Sequence, residues 1–211
     1  SENRVARLMH EQGIAAKQRQ AFRRTTRRGQ ARTAPNYLAG DWEPTRPDQV
    51  WVADITYIRT DEGWLYLACV MDRFSRRIIG WSMDRTLAVS LARRALQMAL
   101  RQRRPSLALI HHSDRGSQYT AHAYRKLLHK PALPVSLSHA ATCFDNAHQE
   151  SFFGTLKTEV IYHRHYHTRQ EARQDIFSYI EGFYNRQRRH SVLGFLSPEA
   201  FENLYYRTRI A

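Results

Sequence analysis

Residues 50–58 read VWVADITYI, and with the two segments that follow, WLYLACVMD (64–72) and RRIIGWSMD (76–84), they decide the fold. In the first, Val52, Asp54, Thr56 and Ile58 fall on one side and Trp51, Ala53, Ile55 and Tyr57 on the other, the period-two pattern of a strand rich in β-formers. The connections DEGW and RFSR are short, so the three segments predict an antiparallel meander. Ser90 to Arg103 follows as an amphipathic helix, with Leu91, Ala95, Met98 and Ala99 inward and Arg93, Arg94, Arg101 and Arg103 outward, ended by Pro105. LALIHH (107–112) reads as a short buried strand of the parallel type. A helix over 121–130, a strand PVSLS (134–138) and a helix over 146–161 come next. A long helix over 170–189 carries Ala172, Ile176, Ile180 and Phe183 on one stripe, and a last helix starts at Ser197 and Pro198. This β-β-β-α-β-α-β-α-α-α order predicts an α/β fold with a mixed five-stranded sheet flanked by helices.

Outward from that core, residues 1–14 carry Val5, Leu8 and Met9 at helical spacing and are expected to end a longer N-terminal helical region, since the sequence opens without methionine. Residues 15–47 lose the periodicity and read as a basic arm or linker; 48–161 form the core and 162–211 a helical extension of it.

The net charge is +14, with 33 Lys and Arg against 19 Asp and Glu, which makes a polyanion the first partner to consider. The excess divides as +6 over residues 1–47, +5 over 48–160 and +3 over 161–211. A hydrophobic content of 42% is enough for a core and excludes a disordered basic tail. Cys69 and Cys143 supply neither a disulfide framework nor a four-ligand zinc site and fit a reducing cytoplasm. The apolar run LYLACVM is far short of the roughly 18 residues that span a bilayer.

Three acids stand where an acid needs a reason. Asp54 interrupts an otherwise apolar strand face, where a carboxylate loses hydration unless it is paired or binds a cation. Asp114 lies just past the carboxyl end of the buried strand, where open α/β sheets place ligands. Glu150 lies one turn after Asn146, with Lys157 seven residues on, so the three share a helix face. Each acid alone is ordinarily an ion pair or a helix cap, as Asp145 is read here. Together they form an all-oxygen set that suits Mg²⁺, with Mn²⁺ as a substitute; two such ions about 3.5–4 Å apart serve in-line phosphodiester displacement.

WVADITYI, DRFSRRIIGWSM, HSDRGSQY, DNAHQESFFGTLKTE and YNRQRRHSVLGFLSPEAF resemble, in order, the successive motifs of the integrase-like transposases of bacterial insertion sequences, the IS-three family. NYLAGDW resembles the motif these proteins carry before the first catalytic strand, so the resemblance covers essentially the whole chain. It implies an RNase H-like fold, with Asp54, Asp114 and Glu150 on the family's metal-binding DDE triad and two Mg²⁺ per active site. It also implies strand cleavage at the element ends and transfer of the 3′-OH to another phosphodiester, with circle formation before integration. The implied partners are terminal inverted repeats and target DNA, a homo-oligomer on paired ends, and an upstream helix-turn-helix segment or partner frame. The implied place of action is the bacterial cytoplasm, at the nucleoid. The sequence departs from the family pattern at Gly40, where Arg is usual, and at His139, Ala141 and Thr142, where Arg, Gly and Asn are usual.

Lys157 stands where the family has a cation facing DNA beyond the catalytic Glu. Further DNA contacts are assigned to Asn146, Arg115 and Arg76, to Arg23, Arg24, Arg27 and Arg28 in the arm, and to Arg188 and Arg189 at the end of the long helix. For the last pair the helix dipole offers an equal explanation; for Arg76 and Arg77, pairing with Asp72 or Asp84 does. HRHYH (163–167) invites a metal reading, but alternate histidines in a loop are ordinarily solvent-facing, and His111 and His112 are read as strand packing. The four tryptophans, Trp42, Trp51, Trp64 and Trp81, are read as core or strand residues.

Two other functions are weighed. A DNA-binding architectural protein gains nothing from three convergent carboxylates, which repel phosphate. A plain RNase H-like nuclease or junction resolvase needs neither a basic arm nor long C-terminal helices.

Overall fold

The β-branched and aromatic residues of Val50–Thr60 form the central strand β1, which pairs antiparallel with β2 (Gly63–Asp72) from Trp51↔Asp72 to Thr60↔Gly63. The computed structural model describes residues 2–15, 43–105, 109–114, 116–129, 135–137 and 147–210. β2 pairs antiparallel with β3 (Ile78–Asp84), and β4 (Ile110–Ser113) and β5 (Val135–Leu137) join β1 in parallel, giving the order β3-β2-β1-β4-β5. The five-stranded mixed sheet matches the sequence reading. The ladder of β4 is carried by IHHS; its histidines and Ser113 are fully buried, as a strand covered on both faces requires.

The described helices are α1 (Glu2–Glu11), α2 (Val89–Arg103), α3 (Ser117–Thr120), α4 (His122–His129), α5 (Ala147–Glu159), α6 (Arg169–Phe177) and α7 (Pro198–Ile210). The two faces of β1 serve two cores. Val50, Val52 and Ile58 pack with Phe152 and Leu156 of α5 and Ile176 of α6; Trp51 and Ala53 pack with Leu91, Ala95 and Leu96 of α2. Helices α5 and α6 therefore share one core with the sheet. α2 lies close against β3: a Cβ on Gly80 would meet the Ala95 carbonyl oxygen and, at 2.8 Å, the Ala99 nitrogen. Among the described residues, no helix is long and apolar enough to cross a membrane.

The structure departs from three local readings. The helix predicted over 170–189 gives way after Phe177 to a π-helical segment, Ser178–Tyr184, in which the Asn185 N–H donates to the Ile180 carbonyl five residues back. The extra residue per turn shifts the stripe, so Tyr184 is buried and Phe183 is exposed. Arg103 does not point outward: Glu202 of α7, 1% exposed, accepts from Arg103 at 2.5 Å, Arg77 at 2.9 Å and Ser75 Oγ at 2.7 Å. Arg77 also binds Glu199, rather than Asp72 or Asp84. Asp84 takes Arg94, and Asp72 accepts the backbone N–H groups of Asp48 and Phe74. The tryptophan reading holds for the described residues: Trp51 is buried, and Trp64 and Trp81 lie in β2 and β3, Trp64 exposed with its ring edge-on to Tyr57; Trp42 lies outside the described residues.

Candidate active site

The register of the sheet places two of the three singled-out acids side by side. Ala53 of β1 is the parallel partner of Ser113 on β4, so Asp54 and Asp114 are the next residues along two strands that run about 4.8 Å apart. Asp54 Oδ1 accepts from the Ile55 N–H at 2.7 Å, and Asp114 Oδ1 accepts from the Gly116 N–H at 2.9 Å, which fixes both carboxyls with oxygens to spare. Glu150 is exposed in the first turn of α5, the helix that covers the Val52 face of β1.

Charge ties the three together. Burial, then the Asp114 carboxylate, then that of Glu150, push the Asp54 pKa up to about 8, against the Ile55 N–H and the Lys157 ammonium, which lower it. Burial likewise raises Asp114. A carboxyl so placed holds a proton near neutral pH unless a cation takes its place. Three carboxylates from two strands and one helix form a hard, all-oxygen donor set that fits a divalent cation of the Mg²⁺ type.

Lys157 lies two turns beyond Glu150, nine-tenths buried, with Nζ 5.1 Å from the Tyr57 ring centroid, and its charge acts on Asp54. Tyr57 was not singled out in the sequence: its place in the alternation marks a strand residue, and only the helix packing brings the ammonium over its ring. Of the other assigned cations, Arg188 is held by Glu159, at 2.8 Å from NH2 and 3.0 Å from Nε, whereas Arg189 is exposed. Arg76 has φ +60°, and its charge acts on His148 and His190, whose pKa values fall to about 4, chiefly through burial. Arg115, Asn146, Arg23, Arg24, Arg27 and Arg28, with the departures at Gly40, His139, Ala141 and Thr142 and the cap at Asp145, lie outside the described residues. His111 packs in the strand, its Nε2 3.0 Å from the Tyr124 hydroxyl.

The integrase core domain family matches residues 44–143, and a second integrase core domain family matches residues 150–205. The insertion element IS600 uncharacterized 31 kDa protein of Shigella sonnei is 48% identical over 206 residues, 97% of this chain and 76% of the relative. The chain belongs to the integrase-core transposases of insertion sequences. Transposase InsF for insertion sequence IS3A of Escherichia coli K12 is 46% identical over 200 residues, 94% of this transposase and 69% of that one. Among solved structures, the simian T-cell lymphotropic virus intasome in complex with PP2A regulatory subunit B56 gamma aligns with a TM-score of 0.62 at 15% identity, over 83% of this chain and 60% of that one. The HTLV-2 integrase catalytic core domain in complex with magnesium, in its trimeric form, aligns with a TM-score of 0.56 at 12% identity, over 75% of this chain and 98% of that one. These likenesses place the transposase in the RNase H-like fold of retroviral integrase cores.

Proposed function

We propose that Asp54, Asp114 and Glu150 are the catalytic acids of this transposase and hold two Mg²⁺ ions, with Mn²⁺ as a substitute. The observation that carries the reading is the parallel register of β1 and β4, which sets Asp54 beside Asp114, with burial and the Asp114 and Glu150 carboxylates raising Asp54 as one charge cluster. When bound, Mg²⁺ supplies Lewis-acid stabilisation to the attacking and leaving oxygens of an in-line phosphodiester displacement. The chain's own residues do the rest. The Ile55 and Gly116 N–H groups orient the two aspartates, α5 brings Glu150 across the sheet, and Lys157 sets a positive charge where a phosphate must approach three acids.

The reaction is hydrolysis of one strand at each element end, which frees a 3′-OH, followed by attack of that 3′-OH on a second phosphodiester. The partners that fit are terminal inverted repeats and target DNA, with a homo-oligomer on paired ends and an upstream helix-turn-helix segment, in the bacterial nucleoid. In this reading 1–14 closes that upstream region, 15–47 is the arm, 48–161 the catalytic core and 162–211 its helical extension. Arg23, Arg24, Arg27, Arg28, Arg76, Arg115, Asn146 and Arg189 contact DNA. Arg188 joins them by exchanging Glu159 for phosphate.

Asp54→Asn and Glu150→Gln are expected to abolish Mg²⁺-dependent cleavage and joining of labelled element ends while filter retention of the same DNA stays near the parent level. Joining at the parent rate by the Glu150 variant would remove that residue from the catalytic set.

A further inference from the structure

A second cluster lies at the far end of β1. Asp61 stands in the two-residue turn between Thr60 and Gly63, and its N–H donates to the Tyr166 carbonyl at 3.0 Å. Tyr166 is 3% exposed, and its hydroxyl donates to Asp175 at 3.0 Å. In an extended segment, a buried residue at the middle turns both of its neighbours the other way. His165 and His167 accordingly face outward together, over Asp61: Asp61 Oδ2 lies 3.0 Å from His165 Nε2 and 2.8 Å from His167 Nδ1. The rings stand nearly perpendicular, at 74° with centroids 4.9 Å apart.

We infer that Asp61, His165 and His167 form a transition-metal site fitted to Zn²⁺, which fastens the β1–β2 turn to the segment entering α6. The three ligand atoms all lie within 4.8 Å of one another. A tetrahedral Zn²⁺ with bonds of about 2.0–2.1 Å sets its ligand atoms about 3.3–3.4 Å apart, so the two N···O separations have only a few tenths of an ångström to open. Two imidazoles and one carboxylate are borderline donors that select Zn²⁺ over Mg²⁺. Side-chain exposures of 71%, 73% and 50% for His165, His167 and Asp61 leave room for water at the fourth position.

The backbone on both sides is already held, so little ordering remains for the metal to impose. The Arg169 N–H donates to the Glu62 carboxylate at 2.8 Å, the Arg169 guanidinium reaches the Glu62 and Trp64 carbonyls, and the His167 N–H donates to Glu171 at 3.0 Å. Asp61 lies seven residues along the chain from Asp54, about 23 Å at the rise of a strand, so the site draws on none of the proposed catalytic acids and does not rest on that reading.

The test uses the full chain, stripped with EDTA and held in excess Mg²⁺, titrated with Zn²⁺ by calorimetry and followed by thermal unfolding. We expect one equivalent of Zn²⁺ to bind and to raise Tm. His165→Gln, His167→Gln and Asp61→Asn should each weaken that binding by at least about tenfold and suppress the rise, with the far-UV spectrum unchanged. Imidazole ¹⁵N spectra of the parent read the site with no variant: Zn²⁺ should shift two of the eleven histidines. Parent-like stoichiometry and Tm rise in the His165→Gln/His167→Gln double variant, or the absence of any imidazole shift, overturns the inference.

Discussion

Asp54 couples the stability of the protein to pH. Its folded pKa of about 8 lies above its ordinary value of 3.8, so between these limits the folded chain keeps a proton that the unfolded chain gives up. Metal-free protein should therefore be most stable, as far as this group decides, below about pH 4, and lose stability as pH rises towards about 8. Asp48, Asp72 and Asp114, also raised by burial, add to the same slope. Asp54→Asn isolates its share: urea midpoints in EDTA at acid and mildly alkaline pH should converge in the variant relative to the parent, and added Mg²⁺ should restore the parent at the alkaline end. Identical pH slopes in variant and parent would mean that Asp54 ionises freely in the fold. The acid could be singled out in the sequence because a carboxylate inside VWVADITYI breaks a pattern. Tyr57 could not, because it obeys the pattern, and Asp61 could not be joined to His165 and His167 because 104 residues separate it from the first of them.

At the scale of the element, the strands and helices follow from residue periodicity, and the departures have local causes. Burial of Glu202 turns Arg103 inward, against the amphipathic reading of α2, and no helical pattern reveals a partner 99 residues away. The π-helical segment is equally hidden, since a switch from four-back to five-back hydrogen bonding leaves no mark on composition. Its use is plain in space: it delivers Asn185, 4% exposed, to the edge strand β3, where its amide accepts from the Ile78 N–H and donates to the Ile78 carbonyl, both at 2.9 Å. An open edge strand is a template for wrong pairing, and this side chain closes it at one residue. Asn185→Ala leaves two backbone groups of Ile78 unsatisfied and should cost about 2–4 kcal/mol, measurable as a lowered urea midpoint. A cost under about 0.5 kcal/mol would mean that water replaces the amide.

Across the whole molecule, the positive charge is spread over residues 1–47, 48–160 and 161–211, while Asp54 and Asp114 stand side by side at the β1–β4 edge with Glu150 on the covering helix α5. If the arm tracks DNA, neutralising Arg23, Arg24, Arg27 and Arg28 should flatten the log–log dependence of binding on salt by about one unit per lost phosphate contact. An unchanged slope would leave the arm in solvent. The joint made by Glu202 also bears on the order in which the protein can be built. Ser75, Arg77 and Arg103 belong to the first half of the chain, yet the carboxylate that receives all three arrives at residue 202. Until residue 202 is made, both arginines lack this acceptor, and a charge without a partner stays in water rather than being buried. The joint between the first hairpins, α2 and α7 therefore closes only once α7 is present.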